Sequence, residues 1–420
     1  MTTMLELDIV ATGRHGDGIG SVNGQTCFVP GAIAGDVVTI ATPEPTGKPV
    51  TTPLINIVRS SPDRTAPVCT HFPACGGCKV QHITMTAYAA WKKQFVIATL
   101  AESGLTPEQI DGPHISPPQS RRRATFAVKR IGKTIHIGFN RAGSHDLINL
   151  DMCAVLRPEL MALLPGLRAC MTDYLGDAPG CDLRVTYLEN GCDLVIIGGV
   201  EPDRRAREIL AACAHALGLV RVSWRKWDRS ADELIVQLAP AQIVFRHGTV
   251  AFPPGGFLQA TLAGENALID AVADAVGTRA PVTDLFCGIG TFALSLPSRR
   301  LTAIDGDGVA AQCLRDAMRA RSHVQVISRD LGREPMAAAE LEPFQAVIFD
   351  PPRDGAKAQA QKLAASNVPV IAAVSCDHVS FCRDGKILTQ GGYRLTRLSI
   401  VDQFLWSRHV ELVGIFRKGR

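Results

Sequence analysis

Residues 282–296 read VTDLFCGIGTFALSL. A short apolar run leads into a Phe-Cys-Gly corner, and a second apolar run follows. The pattern predicts a buried strand, a glycine turn and then a helix. Gly288 and Gly290 let the backbone turn sharply and come close to a ligand at the carboxyl end of the strand, where open parallel sheets bind ligands. The spacing is G-x-G-x-F rather than G-x-G-x-x-G, and no phosphate-binding lysine follows. Both features argue against a dinucleotide or ATP site.

Further apolar runs follow the same plan. LTAIDGD, AVIFDPP, VPVIAAVSC and ELVGIFRK read as strands, with helical stretches such as GVAAQCLRDAMRA between them. Strand and helix in alternation predict an α/β domain with a doubly wound, Rossmann-like sheet from about residue 251 to 420. Asp305 ends the second strand, where a carboxylate can accept both ribose hydroxyls of an adenosine. Asp330 ends the third, VQVISRD, and is placed to meet an adenine amino group. This set fits S-adenosylmethionine. Asp350 ends the fourth strand beside the methyl donor, and Pro351 and Pro352 stiffen the turn after it. Arg353 is free to pair with a phosphate or a carboxylate.

Cys376 ends the next strand, in AAVSCDHVSF, and so shares the rim with Asp350 and Gly288. A thiolate is a strong nucleophile. It suits a substrate such as uracil, whose C5 is too poor a nucleophile to take a methyl group unaided. Thiolate addition at C6 makes C5 nucleophilic, and a base must afterwards remove the C5 proton. Glu411, in SRHVELVGIF, is a carboxylate at the mouth of a late strand. The plainer readings are an inert thiol and a solvent-facing acid. Cys287 and Cys313, in the same domain, read as packing residues.

The chain has 420 residues, 46% hydrophobic and 20% charged, which suits two to four globular domains. No apolar run reaches the length of a membrane helix, and MTTMLELDIV does not read as a signal peptide, so a cytoplasmic protein is expected. Thirteen cysteines in that compartment point to metal binding or chemistry rather than a disulfide framework. Net charge is only +4, but seven basic residues and no acid lie between positions 112 and 145. These are Arg121, Arg122, Arg123, Lys129, Arg130, Lys133 and Arg141, either an RNA-binding surface or a solvated face. Phe126, His136 and Phe139 lie among them, free to stack on bases or, by strand alternation, to be buried.

Residues 1–62 carry short β-rich runs split by Gly and Pro, with a hairpin signal in VNGQ, and fit a five-stranded OB-like barrel. Residues 63–250 read as a mixed α+β central domain. It opens on CTHFPACGGCKVQH, in which Cys69, Cys75 and Cys78 are spaced C-x5-C-x2-C. Cys153 is a candidate fourth ligand. Four thiolates can hold a [4Fe–4S] cluster or a structural zinc.

DLFCGIGTF, DPPRDGA, VSCD and HVELV, in this order, resemble the bacterial RNA uracil-5-methyltransferases. The N-terminal segment resembles their TRAM domain, and CTHFPACGGCKVQH resembles the iron–sulfur motif of the 23S rRNA members. The resemblance implies S-adenosylmethionine and a [4Fe–4S] cluster as cofactors, and RNA, foremost 23S rRNA, as substrate. It implies Cys376 as nucleophile and Glu411 as proton-abstracting base. Gln259, Phe286, Thr291, Asp305, Asp330 and Asp350 match cofactor contacts, and Cys69, Cys75, Cys78 and Cys153 match the cluster ligands. Where the family usually has Asn-Pro after the cysteine, Asp377 and His378 stand here. Where it has Asn two residues after the glutamine, Thr261 stands. Where it reads F-P-x-T, this chain has Phe404, Leu405, Trp406 and Ser407. A tRNA uracil-5-methyltransferase, a cytosine-C5 methyltransferase and a non-catalytic iron–sulfur RNA-binding relative are the competing readings; the VSCD context does not fit the second. A monomer is expected.

Overall fold

A computed structural model of the chain describes residues 3–297 and 299–419. The chain divides into two compact units. One holds the chain up to Ala98 together with Asn140–Asp146 and Phe404–His409, and the other holds the rest.

In the first unit, Gly and Pro cut the β-rich runs into pieces as short as two residues. The five strands expected over 1–62 are therefore seven among the described residues. Met4–Asp8, Val37–Ala41 and Leu54–Arg59 form one sheet. Ala11–Thr12, Gly18–Val22, Gln25–Val29 and Val50–Thr51 form another. The hairpin signal holds: Val22 pairs with Gln25, and Asn23 and Gly24 both take positive φ, as a two-residue primed turn requires. Alternate residues, among them Leu7, Cys27, Val29, Val38 and Ile40, fill the core between the sheets.

Among its described residues the second unit carries two large sheets and a small antiparallel pair, Gln242–Phe245 with Gly248–Ala251. The central one has seven strands in the order Leu147–Asn149, Thr134–Asn140, Arg123–Ile131, Gly180–Leu188, Gly191–Ile197, Leu219–Arg225, Glu233–Gln237. The helices Leu164–Leu175 and Arg204–Leu217 supply side chains to its core. Phe126 is fully buried there and stacks on the half-buried Phe139, with ring centroids 5.4 Å apart, so alternation turned Phe126 inward.

The other large sheet has eight strands. Their order is Val324–Ser328, Leu301–Asp305, Val282–Leu285, Ala346–Phe349, Val370–Ser375, Glu411–Lys418, Tyr393–Asp402, Gln109–Ile115. The first five are parallel, and Glu411–Lys418 runs antiparallel between its neighbours. Strand order reverses beside Val282–Leu285, which creates the crevice where such sheets bind ligands. Ala346–Phe349 and Val370–Ser375 are almost wholly apolar because both faces are covered.

One expectation is corrected at this crevice. No helix follows Val282–Leu285; residues 288–295 form consecutive turns instead. Leu294 N donates to Gly290 O at 2.8 Å, but Ser295 and Leu296 both donate to Phe292 O. Positive φ at Gly288 and Gly290 and the proline at 297 leave too short a stretch for a regular ladder.

Candidate active site

The parallel strands deliver their carboxyl ends to one edge, and the sequence-predicted residues stand along it. Phe286 directly follows its strand and holds φ of +64°, a strained conformation for a bulky residue. Its ring lies 6.0 Å from that of Phe349. Thr291 sits half-buried in the turns beyond.

Asp305 ends the neighbouring strand. Its Oδ2 accepts from Gly288 N and its Oδ1 from Asp307 N, each at 2.7 Å. Both bonds come from backbone donors, so the carboxyl is fixed in orientation and keeps further lone pairs for a ligand. Burial raises its pKa above the usual carboxylate range. A Cβ added at Gly306 would meet Asp330 Cα at 3.3 Å, a tight contact, so Asp330 lies close beside the Asp305 strand end. Asp330 is exposed, and its Oδ1 caps the following turn at Gly332 N, 2.9 Å away.

The space in front of Gly288 is open, with no atom within 4 Å of where a Cβ would stand. Behind it, Asp284 is fully buried, and neither carboxyl oxygen meets a hydrogen-bond partner. Burial, and secondarily the charge of Asp350, raises the Asp284 carboxyl well above the usual range. An open glycine turn, an anchored strand-end carboxylate and an orphaned buried acid fit an adenosine-bearing cofactor. Asp284 lay in the opening stretch, but inside a strand run it read as structure.

Asp350 is half-buried past the fourth strand. Burial and then Asp305 push its pKa up to about 7. Ser375 pairs with Leu412 across the antiparallel ladder. One step further out, that register sets Cys376 beside Glu411. Burial, then the charges of Glu411 and Asp350, push the half-buried Cys376 thiol up to about 11. Glu411 is 4% exposed, and its pKa is pushed up to about 8 by burial, then by Asp350, against a hydrogen bond from Gln403.

Gln259 is also buried, in a loop without regular structure rather than at a strand end. Side chains of the central sheet hold that loop. Arg122 Nε donates to Gln259 O at 3.0 Å, Arg123 Nη1 to Leu258 O at 3.0 Å, and Arg225 Nη2 to Pro254 O at 3.0 Å. Arg122 is buried and ion-paired with Glu265 at 2.6 Å. Part of the basic run is thus internal scaffolding rather than a solvated face. Burial, then Arg184, Arg121 and Arg122, lowers the Arg123 pKa to about 10.

The departures from the family pattern keep their local work. Asp377 caps the helix His378–Gln390, its Oδ1 accepting from Val379 N at 3.0 Å and Ser380 N at 2.9 Å. Thr261 caps Leu262–Val276 through Gly264 N at 3.0 Å. Ser407 Oγ accepts from His409 N at 3.2 Å. Arg353 stands 4.0 Å from Asp377.

The chain is 37% identical to an RNA methyltransferase of Rhizobium meliloti over 97% of both chains, and 37% identical to one of Agrobacterium fabrum over 98% of both. It is 31% identical to the 23S rRNA (uracil(1939)-C(5))-methyltransferase of Pseudomonas putida, over 98% of this chain and 93% of that one. The chain belongs to the RNA uracil-5-methyltransferase family. The tRNA (uracil-54, C5)-methyltransferase of Pyrococcus abyssi, solved with S-adenosyl-L-homocysteine, shares its fold. The TM-score is 0.74 over 98% of this chain and 99% of that one, at 20% identity. No protein-family model matches the chain.

The cysteine motif belongs to the first unit. Cys69, Cys75 and Cys78 lie half-buried in an irregular loop of the first unit, where Gly77 N approaches Cys75 Sγ at 3.5 Å. Cys153 belongs to the second unit and packs on the central sheet's core. Among the described residues, no three of His, Cys, Asp and Glu are gathered as ligands for a metal ion. The thiols suit iron–sulfur chemistry, and no catalytic step is routed through a cluster. Cys287 is buried and Cys313 packs against the large core, as packing thiols do.

Proposed function

We propose that this protein methylates C5 of a uridine in 23S rRNA, with Cys376 as nucleophile and Glu411 as proton acceptor. One observation carries the reading: the Ser375–Leu412 register, which sets thiol and carboxyl side by side on the ligand-binding edge next to Asp350. Gln259, Phe286, Thr291, Asp305, Asp330 and Asp350 line that edge as the cofactor contacts. The resemblance to the Pseudomonas putida enzyme supports 23S rRNA.

In this mechanism Cys376 Sγ gives its proton to solvent and bonds to C6, and the electron pair moves to C5. S-adenosylmethionine, when bound, supplies the methyl cation that C5 takes. Glu411 then removes the C5 proton, the electron pair reforms the C5–C6 double bond, and the C6–S bond breaks to release thiolate. The proposed base is mostly protonated below its pKa of about 8, so its charge appears as pH rises into the working range. The uridine must leave its stack to reach the thiol.

We further propose a [4Fe–4S] cluster with Cys69, Cys75, Cys78 and Cys153 as ligands, supported by the C-x5-C-x2-C spacing and three half-buried thiols in one loop. Iron and sulfide assays on anaerobically purified protein test it. A Cys75→Ser variant that keeps full iron content overturns it. We also place the protein in the cytoplasm as a monomer. No helix among the described residues is long and apolar enough to cross a membrane.

The deciding experiment incubates the protein with labelled S-adenosylmethionine and unmodified 23S rRNA or tRNA, and scores digests for 5-methyluridine by mass spectrometry. Product in 23S rRNA is expected. Product in tRNA alone overturns the substrate assignment. Product in neither, with cofactor bound, overturns the activity.

A further inference from the structure

Gln403 is 1% exposed at the end of the strand Tyr393–Asp402, and no sequence motif singled it out. Its side chain makes three hydrogen bonds. Thr261 N approaches Gln403 Oε1 at 3.3 Å. A backbone N–H can only donate, so this contact fixes which end of the amide is oxygen. Gln403 Nε2 then faces Gln259 Oε1 at 2.5 Å and Glu411 Oε1 at 3.2 Å. The two hydrogens of one amide nitrogen meet the two acceptors.

The consequences reach both neighbours. Gln259 Oε1 accepts this bond, which leaves the donors of its Nε2 for an acceptor atom of the cofactor. Glu411 Oε1 is taken, so Oε2 remains to face the substrate proton. The anchor is itself held. Thr261 Oγ1 lies 2.7 Å from Ser116 Oγ and caps the helix Leu262–Val276. Arg122 holds the carbonyl of the same Gln259.

We infer that Gln403 is a positioning residue that ties the cofactor-holding Gln259 to the proton acceptor Glu411, so that one buried amide orients both ends of the reaction. The inference rests on the uracil-5-methyltransferase reading and deepens it. A buried amide with all its bonds made is rigid, and loss of one partner leaves the others unpaired in a low-dielectric site.

The test is Gln403→Met, close in shape but without the amide, alongside Gln403→Glu. Affinity for S-adenosylhomocysteine, read by calorimetry, is expected to fall about tenfold in Gln403→Met, the value of roughly one buried hydrogen bond. Turnover on the uridine substrate is expected to fall about 10- to 100-fold, part of the usual worth of a positioned base. The covalent RNA–protein adduct should accumulate, because proton removal slows while addition by Cys376 does not. On 5-fluorouridine RNA, where no C5 proton exists to be removed, adduct formation at saturating cofactor should keep its wild-type rate. A loss of packing alone would slow both substrates alike. Gln403→Glu keeps the shape but sets a carboxyl against Glu411, and its acid pH–rate limb should move to higher pH. Thermal melts establish that each variant folds, and one folded variant suffices. Wild-type affinity, turnover and pH limb in a folded variant overturn the inference and leave the function standing. Absence of methyluridine from wild-type protein on both RNAs instead overturns the function, and this inference with it.

Discussion

Arg122 and Glu265 form a buried ion pair 2.6 Å apart, and the same guanidinium holds the backbone carbonyl of Gln259. A residue from a basic run that reads as RNA-facing is thereby committed to the inside of the proposed cofactor site. Burial raises the Glu265 pKa, and Arg122 opposes it. Arg122→Met is expected to cost about 3–5 kcal/mol, because it strands a buried carboxylate. Adding Glu265→Leu should recover most of that stability. Affinity for S-adenosylhomocysteine should stay weakened in the double variant, since Gln259 O still lacks its donor. Urea melts and calorimetry check both halves, and full recovery of affinity would reduce Arg122 to a structural role.

Glu411→Gln should abolish turnover yet stabilise the fold at alkaline pH. The folded-state pKa, about 8, lies above the ordinary value of 4.5. An acid raised on folding contributes stability that is full below pH 4.5, falls between 4.5 and 8, and is flat above. Glutamine keeps the bond from Gln403 Nε2 and carries no charge. Its melting temperature should therefore exceed that of the wild type above pH 8, and the gap should close towards pH 4.5. A constant gap across that window would mean that Glu411 does not titrate there.

The rate of methylation should climb with pH through about 8, where the proposed base ionises. A profile flat from pH 6 to 9 under saturating substrates would remove Glu411 from the rate-limiting protonation.

Cys376 should be slow to alkylate in the free protein at neutral pH, because burial and the charges of Glu411 and Asp350 keep its proton on. Glu411→Gln removes one of those charges, so the alkylation midpoint should move down from about 11. Mass spectrometry of the Cys376 peptide against pH measures it. An unchanged midpoint would show that the two groups do not feel each other.

Asp377→Ala should cost about 0.5–2 kcal/mol through loss of the cap on His378–Gln390, and Asp377→Asn should restore it. If Asp377→Asn melts as low as Asp377→Ala, the carboxylate acts through its charge rather than as a cap.

By itself, the sequence determined the alternating sheet, the glycine turn and the acids and thiol at the strand ends. Those follow from short-range physics: an apolar run of strand length, a turn residue, then a polar side chain at a rim. The hairpin at Asn23–Gly24 was legible for the same reason. The helix expected after Gly290 was not, because two positive-φ glycines and a following proline cut the ladder that the apolar run alone implied.

Only the tertiary structure decided which side chains hold the site. Gln403 meets Gln259 across 144 positions, and Arg122 meets it across 137. No local period encodes contacts made over such separations. Asp284 is set apart by full burial without a partner, which appears once the helices cover the sheet. The pKa values of Cys376, Glu411 and Asp350 were equally out of reach. Each is set by how much water the fold removes and by which neighbouring carboxyl it brings near, not by the residue type or by its neighbours along the chain.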